Sequence, residues 1–234
     1  SCHDDMALII SSKASEMNSS SLLGTGGWLS PYDREVLDWM TLIKWMGWKF
    51  KLIEKEELNH ESMNVSNVKW IILTDNPDDL DSTFIERLFD IVETFPVLIV
   101  SQAGRIGSSF SNRFGAGITK GTILVTAFDW IELSGKQSWH CRKEVRINTL
   151  KCEAAVDALV VANENILVAV SKKTAGRWVV VSFHSSEARD SEGSFTSLLK
   201  HILVYQSCLP VAWFNFENTL VLRMDDPGSS EMVH

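Results

Sequence analysis

The chain has 234 residues, 45% of them hydrophobic, and a formal charge of −8. That length and apolar content suit one large α/β domain better than two small ones. The acidic balance and the lack of any Lys/Arg cluster argue against a nucleic-acid surface, which needs a basic face to neutralise phosphates. No apolar run reaches the roughly 18 residues that span a bilayer, and the opening SCHDDMALII lacks the basic region of a signal peptide. Four cysteines, Cys2, Cys141, Cys152 and Cys208, are widely spaced without a C-x-x-C pair, so they read as reduced thiols and slightly favour a cytoplasmic setting. Cys2, so near the start, leaves open the lipid-bearing cysteine of an exported lipoprotein.

In chain order, MALII at residues 6–10 reads as a first buried strand. It runs into Ser11 and Ser12 and a Ser/Gly-rich stretch to about Leu29, long enough to read as a functional or disordered loop. Ser30-Pro31-Tyr32-Asp33 is a capping pattern with proline at the first helical position. Val36, Leu37, Met40, Ile43 and Met46 follow at helical spacing, which predicts a helix over 31–46 that stops at Gly47. Residues 48–53 alternate as a second strand, and VKWIIL at 68–73 is a third, ended by Thr74-Asp75-Asn76-Pro77. Phe84, Ile85, Leu88, Phe89 and Val92 mark one face of a second helix that Pro96 stops. Residues 97–100 form a short fourth strand leading into Ser101-Gln102-Ala103-Gly104-Arg105.

The middle of the chain is less periodic. Residues 108–120 show no clear pattern, 121–133 are strand-like, and 137–162 read as short strands at the edge of the sheet. Residues 166–170 and 178–183 flank a glycine-containing turn and predict an antiparallel hairpin. Phe195, Leu198, Leu199, Ile202 and Leu203 give a last helix starting near Ser194. The buried-looking strands joined by helices imply a mostly parallel sheet, and such sheets bind ligands beyond the carboxyl ends of their strands. Those ends supply the candidate ligand-binding residues Ser11, Ser12, Asp75, Asn76, Ser101, Gln102, Arg105, His184 and Ser185. His184 and Glu187 are the candidate catalytic pair, with a hydrogen-bonded structural role as the plainer reading of the histidine. Most of the nine Trp read as core, Trp39 and Trp45 among them, whereas Trp28 in the glycine-rich loop suits stacking on a sugar ring.

Residues 178–190, WVVVSFHSSEARD, resemble the F-H-P-E segment of class I glutamine amidotransferases, with one extra serine and no proline. Together with the element order over about residues 5–207, this resembles the flavodoxin-like fold of that superfamily, including its trehalose-utilisation-like branch. The resemblance implies a mostly parallel flavodoxin-like sheet with helices on both faces and an antiparallel hairpin near the C-terminal end. It also places the family's G-x-C-x-G elbow on Val100-Ser101-Gln102-Ala103-Gly104, so Gln102 takes the nucleophile's position. An amide has neither thiolate nor hydroxyl, and covalent catalysis of the family type cannot run through it.

Leu222-Arg223-Met224-Asp225-Asp226-Pro227-Gly228 resembles the opening motif of polysaccharide deacetylases, which implies a metal role for Asp225 and Asp226. Two acids without a histidine pair make an incomplete site, so no cofactor is expected in this chain and a divalent metal only in a longer one. The expected organisation is an amidotransferase-like domain over 1–209 and an extension over 210–234. The expected function is a noncatalytic accessory or ligand-binding domain associated with a carbohydrate-active enzyme such as a polysaccharide deacetylase. The alternatives are a hydrolase using His184 and Glu187 with an unidentified nucleophile or metal, and a structural assembly domain. The partners expected are a small-molecule or carbohydrate ligand and a second copy of the chain, with no nucleic acid and no membrane span.

Overall fold

The computed structural model describes residues 6–15, 31–59, 65–131, 137–190 and 192–208. In chain order these form β1 (Met6–Ile10), α1 (Pro31–Trp45), β2 (Lys49–Ile53), α2 (Lys55–Asn59), β3 (Val68–Leu73), a 3-10 turn (Pro77–Asp79), α3 (Ser82–Thr94) and β4 (Leu98–Gln102). They continue as α4 (Ser109–Phe114), β5 (Ala116–Trp130), β6 (Gln137–Cys152), β7 (Val156–Ala162), β8 (Asn165–Ser171), β9 (Arg177–Val181), α5 (Ser185–Asp190) and α6 (Ser194–Tyr205). The strands make one nine-stranded sheet in the order β2-β1-β3-β4-β9-β8-β6-β5-β7, with a further pairing of β8 to β7.

Strands β2, β1, β3, β4 and β9 pair in parallel. Successive residues point to opposite faces of a sheet, and here both faces are apolar. Ala7, Ile9, Trp70, Ile72, Val179 and Val181 face one core with α1 and α6. Leu8, Ile10, Ile71, Leu73, Trp178 and Val180 face another with α3 and α4. Continuous apolar runs are what burial on two faces demands.

The remaining strands correct the expectation of a mostly parallel, flavodoxin-like sheet. β9 pairs antiparallel with β8, β8 with both β7 and β6, β6 with β5, and β5 with β7. The circuit β8-β6-β5-β7-β8 closes on itself as a small antiparallel barrel. β5 and β6 are the longest strands, at 15 and 16 residues, so most strand residues lie in this antiparallel part. Residues 137–162 are therefore barrel wall and not short edge strands.

The disguise has a physical cause. The β5–β6 register shifts between Ile118 and Thr122 and again between Val125 and Ala127, and such irregularities break up a continuous period of two. Residues 108–115 hid a helix as well. Ser108 accepts from the Ser111 backbone N–H at the start of α4, and Gly115 ends it with φ of 92°, the left-handed conformation that glycine adopts without strain.

Trp178 is fully buried on β9, its Nε1–H donating to Ser101 Oγ at 2.9 Å. Phe89 and Phe110 pack on its ring at 4.9 and 5.4 Å between centroids. The turn that feeds β9 is just as tight, for a Cβ on Gly176 would lie 2.4 Å from the Val97 carbonyl oxygen. Trp178→Ala is expected to lower stability by about 3–5 kcal/mol in a denaturant titration. Trp178→Phe should cost less, since it keeps an aromatic ring in the core while losing the donor to Ser101 and part of the buried volume.

Candidate functional site

β4 and β9 are parallel neighbours with Gln102 opposite Val181, so the residues that follow β9 emerge beside Gln102. His184 lies there, and its Nδ1 contacts Gln102 Nε2 in a short hydrogen bond. Ser101, one residue earlier, points to the opposite face and is buried. Its hydroxyl donates to the Gln102 carbonyl at 2.9 Å and accepts from Trp178.

Glu187 does not address the imidazole through these contacts. Its carboxylate accepts the His184 backbone N–H at 2.6 Å, the reciprocal half of a capping box that starts α5. The acids that close the site come instead from α1 and were missed in the sequence. Glu35 accepts from the Ser185 backbone N–H at 2.8 Å and from Trp39 Nε1 at 3.0 Å. Asp38 accepts from Ser185 Oγ at 2.7 Å. The signal was an acid on the buried face of an amphipathic helix, since Glu35 is only 9% exposed, next to Val36 and one turn before Trp39.

The other candidates lie on or just beyond neighbouring strand ends and bond to local partners there. Ser12 donates through its backbone N–H and its hydroxyl to the two oxygens of Asp75, at 2.7 and 3.1 Å, tying the end of β1 to the end of β3. Ser11 Oγ accepts from the Lys13 N–H. Asn76 caps the 3-10 turn by accepting from the Asp78 N–H. Arg105 is exposed, and its backbone N–H donates to Asp78. None of these five lines the crevice at Gln102 and His184, which has a volume of about 10 Å³, room for about one water. A cavity of about 690 Å³ opens on the far side of Ser185, and Trp39, Ser185 and Leu199 line both spaces.

Among the described residues no cluster of three His, Cys, Asp or Glu side chains is placed to hold a metal. Asp225 and Asp226, the extension over 210–234, Cys2 and Trp28 lie outside the described residues. Among the described residues, no helix is long and apolar enough to cross a membrane.

No family model and no curated protein matches the chain. Solved structures share the fold at low identity. A thua-like protein from Bacteroides uniformis ATCC 8492 has a TM-score of 0.55 and 10% identity, over 88% of this chain and 93% of that one. A cytoplasmic protein from Salmonella typhimurium LT2 has a TM-score of 0.55 and 7% identity, over 87% and 99%. A β-galactosidase from the Antarctic haloarchaeon Halorubrum lacusprofundi has a TM-score of 0.56 and 10% identity, over 90% of this chain but 31% of the enzyme. In the β-galactosidases of Bacillus circulans and Rahnella the chain likewise spans 31% of the length. These findings overturn the resemblance to class I glutamine amidotransferases and deacetylases as stated. No model of either family matches, the neighbours are a thua-like protein and segments of β-galactosidases, and the sheet as a whole is mixed with a closed barrel.

Two substitutions test the geometry. Glu35→Gln keeps the shape but sets an NH2 group against one of two donors, and is expected to cost about 1–3 kcal/mol in thermal or chemical unfolding. At Asp75, burial holds the carboxyl above its ordinary range against the lowering effect of the Ser12 hydrogen bonds and Lys55. The folded state therefore binds this proton more readily than the unfolded chain. Its contribution to stability is lost as pH rises through the raised folded value, and grows as pH falls from there toward the ordinary one. Compared with Asp75→Asn, the parent should gain stability over that window, and the difference should level off above it.

Proposed function

We propose that this chain is a noncatalytic ligand-binding domain that serves a carbohydrate-active enzyme. The observation that carries the reading is the engagement of the His184 imidazole with the Gln102 amide, in a crevice that admits about one water. A histidine acting as general base needs a hydroxyl, thiol or water within reach and a substrate beside it. Here the group against the ring is an amide, and the nearby hydroxyls of Ser101 and Ser185 donate to the Gln102 carbonyl and to Asp38. Among the described residues the cysteines offer no ready substitute, because burial pushes the thiols of Cys141 and Cys208 up and that of Cys152 to about 11, away from the reactive thiolate. Support for the partner class comes from the β-galactosidases, in which a domain of this fold makes up about 31% of the chain.

The capping of α5 by Glu187 weighs against the hydrolase alternative. The test is to incubate the protein separately with glutamine, p-nitrophenyl acetate and p-nitrophenyl β-galactoside, following ammonia or nitrophenol. Rates are expected to match those of His184→Ala and Glu187→Ala. Turnover that either substitution abolishes would make the chain an enzyme and overturn the proposal.

A further inference from the structure

Accepting that reading, we infer that the cavity of about 690 Å³ between α1, the start of β6 and α6 is a saccharide subsite that takes one or two pyranose rings. Its volume falls within the range of small-molecule sites, and its walls combine aromatic rings with many polar and charged side chains. A pyranose presents an apolar face of C–H groups ringed by hydroxyls. It therefore asks for an aromatic plane beside fixed hydrogen-bonding side chains.

The cavity supplies both. Trp39, Trp45, Phe128 and Trp139 line it. Trp45 is 63% exposed, a large apolar ring left in water where the sequence suggested a core residue. Lys200 Nζ lies 5.1 Å from its centroid, within cation–π range. The Trp139 ring is braced by Phe128 and His201 at 5.3 and 4.7 Å between centroids.

The polar groups are fixed through the network already described. Asp38 accepts from Ser185 Oγ, and Ser185 is held in turn by Glu35. On the opposite rim the Arg142 backbone N–H donates to Ser194 Oγ at 3.0 Å, joining β6 to the start of α6. Asp38 and Glu192 line the cavity together with Arg142 and Lys200. This mixture of charges disfavours a nucleotide or another polyanion, and the number of polar side chains disfavours an acyl chain.

The test titrates the full chain with galactose, lactose and cellobiose, following tryptophan fluorescence and amide shifts. Saturable binding to at least one probe is expected, with Kd on the order of millimolar. Trp45→Ala, at an exposed position that should leave folding intact, is expected to weaken it about tenfold. Asp38→Asn should also weaken it, and Ile106→Ala, at an exposed apolar residue outside the cavity, should leave it unchanged. No saturable change with any probe, or binding indifferent to both Trp45→Ala and Asp38→Asn, would overturn the inference. Binding lost only in Gln102→Ala would also overturn it, while leaving the accessory-domain reading in place. Hydrolysis of a probe would instead overturn that reading and leave the subsite standing.

Discussion

β9 has to satisfy two incompatible neighbours, and the architecture follows from how it does so. On one side it pairs in parallel with β4, and on the other antiparallel with β8. A strand flanked on both sides and covered on both faces must be apolar throughout, and RWVVV is so after its first residue. Trp178 secures this junction, since it fills one core while its indole N–H fastens β9 to Ser101 on β4. The closed antiparallel circuit hangs from the β9–β8 pairing, and the loop carrying His184 starts where β9 ends.

The parallel pairing also explains why polar residues gather at one end of the sheet. Parallel strands present their carboxyl ends together, so Ser12, Asp75, Gln102 and His184 emerge on the same side. They do not form one pocket. Ser12 and Asp75 bond to each other, Gln102 bonds to His184, and α1 covers Ser185 with two acids. The hydrogen bonds that rigidify this end leave little space within it, and the open volume lies next door, against the outer part of α1 and the start of β6.

Much of the first hundred residues was legible because each element has one dominant signal. Residues 68–73 and the helix before Pro96 follow simple periodicity, whereas strand order alone could not set Gln102 beside His184. Residues 108–162 were not legible in the same way. Their strands are half exposed and interrupted by bulges, so no window holds a clean alternation. Glu35 and Asp38 were missed because an acid on a helix reads as solvated unless the partner that buries it is known. Trp45 was misread for the converse reason, since an aromatic residue on an amphipathic helix suggests core.

Ring closure of β5 to β8 has a consequence for how copies of this protein meet. A sheet of nine strands ordinarily has two open edges, each a row of unpaired backbone groups that can recruit another chain. Here β7, the last strand in the order, is flanked on both sides at Val160 and Val161, by β8 and by β5, which narrows the edge at that end. The other end is β2, which carries the exposed Lys49 and Lys51, the latter ion-paired with Glu57. Charge of this kind discourages strand addition without disturbing the strand that bears it. The fold thus guards its β2 edge against amyloid-like growth, and favours contact with other molecules through side-chain surfaces there.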